Sequence, residues 1–302
     1  MILNRKDIFK SYPWLKEKNQ KFIISADYNG MICASFLNHF LDWQLKGYYD
    51  FKSLWISNNM INKMDKIIWV DINVLPKKGR AIGGHIISIN NQWPKGFKSS
   101  CNPNILSQLD ELNFHSKYPF STLIFLLWLH KVNIKKTLMA KMLVLHSDDT
   151  WLKYQNYTDN IKRWIDKMPD YNWKWLFNKI ETLTFEQRIE QILYPDLLKM
   201  SAISKKGKLF SKKLKIKSRQ LQFNPDWDLD IILNLFSLFG THLSWTPPEL
   251  PQNIIRIDGT RERVDLHKIK EIGLSKFLSN KKVFSYAIPS PRKFDYTSFK
   301  KI

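Results

Sequence analysis

Three aspartates follow runs of apolar residues, and their positions are the first sign of chemistry in the sequence. The three runs are Phe22–Asp27, Ile67–Asp71 and Met142–Asp148. Short apolar runs are typical of buried strands, and ligands of an open parallel sheet bind outside the carboxyl ends of its strands. Three carboxylates at one edge repel each other, and a divalent cation is the usual means of holding them ionised. The pattern therefore predicts a shared metal site.

A glycine-flanked histidine and an Asn-Gly pair strengthen this prediction. His85 follows Gly83 and Gly84, and its imidazole is a suitable ligand for manganese. Asn29 and Gly30 lie between the first aspartate and a helical pattern. The start of that helix offers free N–H groups to an anion, so the segment predicts a phosphate and metal site.

Each of these residues also has an ordinary structural explanation. Aspartate and asparagine commonly cap helices and turns, and a single histidine more often packs in a core or a loop. Asp149 is a weaker alternative to Asp148 as the third acid. The coincidence of three such acids with Gly-Gly-His favours the metal site.

The order of these motifs resembles the DHH phosphoesterase superfamily over about residues 20–150. The first motif of that family, Asp-x-Asp-Gly, corresponds to Asp27-Tyr28-Asn29-Gly30, and its second, a single strand-terminal Asp, corresponds to Asp71. Its third motif, Asp-His-His, is represented by Gly83-Gly84-His85, and its fourth, another Asp, by Asp148.

The resemblance implies metal-dependent hydrolysis of phosphodiesters in nucleic acids or nucleotides, with Mn²⁺ or Mg²⁺ as cofactor. The implied metal ligands are Asp27, Asn29, Asp71, His85 and Asp148, and the implied catalytic residues are Asp27, Asp71, His85 and Asp148. Asn29 replaces an acid, and the third motif lacks its Asp and one His. One ion is therefore expected rather than two. The alternative is a catalytically degenerate relative that binds nucleic acid as a subunit of a larger complex.

A strong positive charge points to polyanionic partners. The 302 residues contain 48 Lys+Arg and 27 Asp+Glu, a net charge of +21, and such an excess attracts nucleic acid. An AT-rich genome would also raise the lysine content. The densest basic run predicts a nucleic-acid contact at Lys205, Lys206, Lys208, Lys212, Lys213, Lys215, Lys217 and Arg219. Leu214 and Ile216 alternate with lysines, which predicts a strand with one charged face; a solvated loop is the alternative.

Alternating apolar runs and helical patterns predict an α/β fold, with a mainly parallel sheet covered by helices on both faces. We expect this domain over residues 1–168. A smaller α+β domain rich in aromatic residues and lysine is expected over 169–302. The predicted strands are Lys21–Ala26, Asp65–Val70, Met142–Leu145 and Lys282–Ile288, with Ala81–Ile89 as strand or loop. The predicted helices are Met31–Trp43, Pro119–Leu129 and Phe185–Leu198.

Two further segments have both a functional and a structural interpretation. Aromatic residues of 151–175, Tyr154 and Trp173 among them, could stack on bases, although packing is the default. Asn102-Pro103-Asn104 could contact substrate or cap a helix. With two cysteines, charged residues near position 1 and no apolar run of about 20 residues, we expect a cytoplasmic protein without a transmembrane segment.

Overall fold

The computed structural model describes residues 1–75, 80–203 and 205–300, except the side chains of Lys205 and Lys206. The strands are β1 (Lys21–Ser25), β2 (Gln44–Tyr49), β3 (Ser53–Ser57), β4 (Ile67–Val70), β5 (Arg80–Ile82), β6 (Lys205–Phe210), β7 (Lys217–Gln220), β8 (Ile254–Asp258), β9 (Thr260–Asp265), β10 (Val283–Ser290) and β11 (Lys293–Ser298). The α-helices are α1 (Arg5–Ser11), α2 (Tyr28–Leu41), α3 (Pro103–Leu106), α4 (Thr122–Leu129), α5 (Leu138–His146), α6 (Thr150–Asn156), α7 (Thr158–Lys167), α8 (Trp173–Phe177), α9 (Leu183–Arg188), α10 (Tyr194–Lys199), α11 (Leu229–Leu243), α12 (Leu266–Ile272) and α13 (Leu274–Asn280).

The chain divides into two compact units, each built from three segments. The helical unit contains Met1–Asn4, Ala26–Phe40 and Pro119–Pro247, and the sheet unit contains Arg5–Ser25, Leu41–Tyr118 and Pro248–Ile302. The domain boundary expected at residue 168 stays a prediction. No helix within the described residues is long and apolar enough to cross a membrane.

A mixed six-stranded sheet forms the centre of the sheet unit. Its strand order is β5-β4-β1-β2-β3-β8. The pairs β1–β2, β1–β4 and β4–β5 are parallel, whereas β2–β3 and β3–β8 are antiparallel. The α/β class and the largely parallel sheet agree with the sequence-based expectation. A second, antiparallel sheet has the order β10-β11-β9.

Apolar runs explain the central strands. Every residue of β3 and β4 is buried, as expected for strands covered on both faces. Ile23, Ile56, Ile67 and Trp69 belong to one apolar cluster in this unit. The predicted strands around residues 21–26, 65–70 and 282–288 are confirmed, with bounds shifted by up to two residues.

Two elements predicted from the sequence lie in the helical unit, and one of the two predictions was wrong. Met142–Leu145, expected as a strand, lies inside α5, because the hydroxyl of Thr137 accepts from the Ala140 amide at 3.2 Å and starts a helix before the apolar run. A run of four apolar residues does not by itself distinguish a buried helix from a strand. The predicted buried helix around α4 is confirmed: it is buried on all sides and capped by Ser121.

Gly47 of β2 gives a test of the sheet. A Cβ at this position would lie 2.0 Å from the main-chain oxygen of Trp55 on β3. We expect Gly47→Ala to lower the free energy of unfolding by about 1–3 kcal/mol, because neither strand can move away without breaking the ladder. Urea unfolding measures this change.

Gly240 of α11 is the matched control. A Cβ there meets its first neighbour at 3.5 Å, which is ordinary contact. Gly240→Ala is expected to be neutral or to stabilise by up to about 1 kcal/mol, because alanine favours helix. Equal unfolding midpoints for the two variants would contradict the description of the β2–β3 contact.

Candidate functional site

The sheet unit brings two of the predicted site residues into contact. Asp71 directly follows β4 and is buried, and its Oδ1 lies 3.1 Å from Nε2 of His85. Its Oδ2 accepts a hydrogen bond from the hydroxyl of Ser25, the last residue of the neighbouring parallel strand β1, at 2.9 Å. Two parallel strands therefore end at a carboxylate that is held from both sides. The side chain of His85 is 33% exposed.

The backbone around this pair is unusual. Asp71 has a φ of +62°, a left-handed conformation that is uncommon outside glycine. Its N–H nevertheless donates to the Ile82 oxygen of β5 at 2.8 Å. Aspartate adopts this conformation more readily than most residues, and Asp148 and Asp149 share it.

The Gly-Gly-His loop is fixed by close packing. A Cβ on Gly84 would lie 2.8 Å from the ring of Tyr118, so only glycine fits without a shift of that ring. The ammonium of Lys117 donates to the main-chain oxygen of His85 at 2.8 Å. The position of the imidazole therefore depends on residues 117–118.

Asn104 holds the same loop from the other side. It is fully buried, and its amide nitrogen donates to the oxygens of Gly84 and Ile86, both at 2.8 Å. Its amide oxygen accepts from the Tyr118 N–H at 2.7 Å. Asn102 caps α3 through the Asn104 N–H at 2.8 Å. Within the sheet unit, the Asn-Pro-Asn motif thus holds the loop that carries His85.

We expect Asn104→Ala to destabilise the protein by about 2–4 kcal/mol. The substitution leaves the buried Ile86 carbonyl, the buried Tyr118 N–H and the part-buried Gly84 carbonyl without their partner. Each fully buried group left unpaired costs on the order of 1–3 kcal/mol. Chemical unfolding checks this, with Asn113→Ala as control, since the Asn113 side chain donates to Asp110 at a partly buried site. If Asn104→Ala changed the free energy of unfolding by less than 1 kcal/mol, the role of Asn104 in holding the His85 loop would be contradicted.

The other predicted ligands lie in the helical unit. Asp27 is the residue before α2, and its Oδ1 accepts from the Gly30 N–H at 2.9 Å, the geometry of an N-cap. Asn29 lies in the first turn of α2, and its Oδ1 accepts from the Asp148 N–H at 2.6 Å. Asn29 and Asp148 are therefore in contact. Asp27 caps a helix, which was the structural explanation considered for it in the sequence.

Asp148 does not end a strand, because the segment before it is α5. Its Oδ2 pairs with Nζ of Lys153 at 2.7 Å. Asp148 and Asp149 have φ values of +53° and +52°, which makes the link from α5 to α6 a run of two left-handed residues. The predicted ligands therefore fall into two sets. Asp71 and His85 belong to the sheet unit, and Asp27, Asn29 and Asp148 belong to the helical unit. Within residues 1–75, 80–203 and 205–300, no three His, Cys, Asp or Glu side chains are grouped so as to hold a metal ion.

Asp149 lies in a buried polar cluster of the helical unit that the sequence did not predict. Its Oδ2 accepts from the amide of Gln220 on β7 at 3.3 Å. Gly207 of β6 approaches closely: a Cβ there would lie 2.1 Å from Oγ of Ser218 and 3.8 Å from Oδ2 of Asp149. The α5–α6 link and the β6–β7 hairpin therefore meet at this carboxylate.

Arg219 and Tyr194 extend the cluster. The guanidinium of Arg219 lies over the ring of Tyr194 at 4.7 Å and 3.7 Å from Glu190. The ring of His146 is 5.7 Å from that of Tyr194. Five buried polar atoms of this cluster have no hydrogen-bond partner among the described residues: Asp149 Oδ1, Ser218 Oγ, Arg219 Nε, His146 Nδ1 and Tyr194 Oη. Buried groups of this kind usually bind ordered water or a small polar molecule.

Burial shifts the pKa values of the groups in this cluster, raising some and lowering others. Desolvation raises the pKa of Asp149 to about 7, opposed in part by Lys153. Desolvation, assisted by the positive charge of Arg219, lowers the pKa of His146 to about 4. Burial also raises the pKa of Tyr194. The neutral form of each group is therefore favoured in the folded protein.

The raised pKa of Asp149 predicts a pH-dependent stability. Between pH 3.8, its ordinary pKa, and about 7, the folded state holds a proton that the unfolded state has lost. The contribution of Asp149 to the free energy of unfolding therefore falls as the pH rises through this range. His146 and His130, with pKa values lowered to about 4, act in the opposite sense between pH 4 and 6.5.

Comparison of wild type with Asp149→Asn isolates this contribution. We expect the stability difference, wild type minus variant, to fall from pH 4 to pH 7 and to stay constant above pH 8, measured by urea unfolding. Asp159→Asn, an exposed aspartate of α7, controls for the loss of one charge. Parallel stability curves for wild type and Asp149→Asn would contradict the raised pKa.

The basic run forms a hairpin rather than the single strand expected through Lys213–Lys217. β6 ends at Phe210 and β7 begins at Lys217, and the two are antiparallel. The buried carboxylate of Glu186 explains the turn, because it accepts from the N–H groups of Lys213 at 3.1 Å and Leu214 at 2.6 Å. The carboxylate replaces a strand partner for these amides.

The hairpin displays part of the predicted basic surface. Lys208, Lys212, Lys213, Lys215 and Lys217 are exposed. Lys212 pairs with Glu181 at 2.7 Å, and Arg219 belongs to the buried cluster. The side chains of Lys205 and Lys206 lie outside the described part of the chain. Four lysines, 208, 213, 215 and 217, thus remain as the core of this surface, which we call the hairpin lysines.

Comparison with known protein families, with curated proteins and with solved structures found no match for this chain. The resemblance to the DHH phosphoesterase superfamily therefore stays a prediction that rests on the motifs.

Proposed function

We propose that this chain is a phosphodiesterase-like protein that acts on nucleic acids or nucleotides with one bound Mn²⁺ or Mg²⁺. The observation that carries the proposal is the contact between Asp71 and His85 at 3.1 Å. Two separate sequence features, a strand-terminal acid and a Gly-Gly-His motif, predicted these residues as partners in one site.

The donor chemistry of this pair fits such an ion. A carboxylate oxygen and an imidazole nitrogen are both accepted by Mn²⁺. Ions of this type often bind through one or two protein side chains and complete their coordination with water and substrate phosphate. Asp71 and His85 would hold the ion, which when bound supplies charge stabilisation and a water of lowered pKa.

The surrounding residues of the sheet unit would position these ligands. The hydroxyl of Ser25 donates to Oδ2 of Asp71 at 2.9 Å, which leaves Oδ1 directed at His85. Lys117 and Asn104 hold the main chain on either side of the imidazole. Partners of this kind fix ligand orientation, and their loss commonly costs 10-fold to 100-fold in affinity or activity.

The charge of the protein supports a polyanionic substrate. The net charge is +21, and the exposed hairpin lysines offer a basic ribbon of the type that follows a phosphate backbone. Together with the Asp71–His85 pair, this charge makes a phosphodiester the best-supported substrate class.

A second candidate is a non-catalytic subunit that binds nucleic acid. It is favoured by the roles of Asp27, Asn29 and Asp148, whose side chains cap α2, accept from a main-chain amide and pair with Lys153. Three of the five predicted ligands thus have structural partners. In this case the basic surface would bind without cleavage.

The test compares wild type with Asp71→Asn and His85→Gln. Calorimetry measures Mn²⁺ binding, and cleavage is followed with a labelled single-stranded oligonucleotide and a cyclic dinucleotide. We expect both variants to lose saturable binding and at least about 100-fold in cleavage rate, and Ser25→Ala to lose about 10-fold. His267→Gln is the matched control, because His267 forms an exposed pair with Glu271 at 3.2 Å.

The outcomes separate the two candidates. Wild-type Mn²⁺ binding and cleavage that survive in His267→Gln and vanish in the other two support the phosphodiesterase. Oligonucleotide binding without metal binding or cleavage overturns it in favour of the binding subunit. Undiminished cleavage by Asp71→Asn overturns the assignment of the site.

A further inference from the structure

A cavity with an aromatic wall lies in the helical unit, among residues that do not belong to the proposed metal site. Its volume is about 540 Å³, within the range of sites that bind small molecules. Tyr154, Trp173 and Phe177 line it together with Lys174 and Lys179. Asn178, Glu181 and Thr182 add polar groups.

The aromatic rings of this wall form a nearly parallel stack. The rings of Tyr154 and Phe177 are 4.7 Å apart at 12°, and those of Phe177 and Trp173 are 6.1 Å apart at 17°. Phe120 stacks on Trp173 at 5.6 Å and 15°. Tyr154 is half-buried, whereas Trp173 and Phe177 are buried. Phe120 also lies 5.7 Å from Phe177, so Phe120, Trp173 and Phe177 form a cluster of three rings. Tyr154, stacked on Phe177, is the most exposed of the four rings.

A buried lysine holds α8 and the residue that follows it, which form one side of the cavity. Nζ of Lys141 donates to the oxygens of Trp175 at 3.1 Å and Asn178 at 2.6 Å. The indole of Trp173 donates to the Met168 oxygen at 2.6 Å. Lys179 has a φ of +59°. The wall is therefore built from fixed main-chain positions, and a pre-organised site loses little entropy on binding.

Cations surround the aromatic wall. Lys174 and Lys179 are exposed, and Lys212 of the hairpin pairs with Glu181 at 2.7 Å. The cavity thus combines the flat ring of Tyr154, two exposed lysines and the amide of Asn178, beside the Lys212–Glu181 pair. This combination matches a heteroaromatic base joined to a phosphate.

We propose that this cavity binds a nucleobase by stacking on Tyr154, with Lys174 and Lys179 contacting the attached phosphate. The base belongs either to a single-stranded nucleic acid or to a free nucleotide. Stacking on aromatic rings beside basic residues is the general way in which proteins bind single strands without sequence preference. None of the residues that line the cavity is Asp71 or His85, so the proposal stands whether or not the chain cleaves phosphodiesters.

The test measures equilibrium binding by fluorescence anisotropy at several salt concentrations. The probes are labelled ten-nucleotide oligo(U) and oligo(dT), and AMP with a fluorescent ribose label. We expect Tyr154→Ala to weaken binding at least about fivefold, because one base–aromatic stack is lost. Tyr154→Phe keeps the ring and is expected to bind within about twofold of wild type.

The lysines have a different readout. The Lys174→Ala/Lys179→Ala double variant is expected to lower the slope of log affinity against log salt by about 0.7 for each lysine on a single strand. Both side chains are exposed, so this variant tests the site even where Tyr154→Ala unfolds, as judged by circular dichroism. Lys162→Ala, an exposed lysine of α7, is the charge control.

Tyr157 provides the matched aromatic control. It is 52% exposed, lies three positions beyond Tyr154 and does not line the cavity. Loss of affinity in Tyr154→Ala with none in Tyr157→Ala supports the site. Oligonucleotide binding without AMP binding assigns a strand, and AMP binding of equal strength assigns a free nucleotide.

Two results would overturn the proposal. One is that wild type binds none of the three probes. The other is that the Tyr154 and double-lysine variants bind as wild type does. Loss of cleavage in the Asp71→Asn variant with this binding intact would show that the two sites are independent.

Discussion

Buried main-chain groups that helices and strands leave unpaired must find other hydrogen-bond partners. Three polar side chains provide them at the loop carrying His85, at the basic hairpin and beside the aromatic cavity. Asn104 binds the oxygens of Gly84 and Ile86. Glu186 accepts from two amides of the hairpin turn, and Lys141 donates to the oxygens of Trp175 in α8 and of Asn178 directly after it. Each of these side chains is buried. The geometry of the loop carrying His85, of the basic hairpin and of the aromatic cavity therefore depends on a few internal polar residues rather than on regular secondary structure.

Local sequence patterns were sufficient to predict the elements that consist mainly of buried apolar residues. β4 is apolar throughout, β1 and α4 contain the apolar runs Phe22–Ile24 and Leu123–Leu129, and α2 has apolar residues at helical spacing. Their type therefore follows from periodicity and length. Asp71 and His85 were predicted from their neighbours, a strand before one and two glycines before the other, and the structure places them in contact.

The remaining features depend on residues outside the segment itself, some of them far away in the chain. The sequence of Met142–Leu145 is equally compatible with a strand and with a helix. The helix forms because Thr137 caps its N-terminus a few residues upstream. Glu186 turns the lysine-rich run into a hairpin from about 30 positions away. Asp149 acquires its raised pKa from burial beneath segments that include β7. A carboxylate that caps a helix, such as Asp27, and one that binds an ion look alike in a sequence, because both follow an apolar run.

The pairing of β3 with β8 affects how the protein is made. Ser57 pairs with Ile254, about 200 positions further along the chain, and contacts this distant slow folding. During synthesis, β3 is translated long before its partner, so one edge of the six-stranded sheet presents unpaired amides and carbonyls in the meantime. Such an edge is a template for association with other chains. Cellular yield would therefore respond to the speed of translation and to chaperone supply more strongly than the stability of the finished fold suggests.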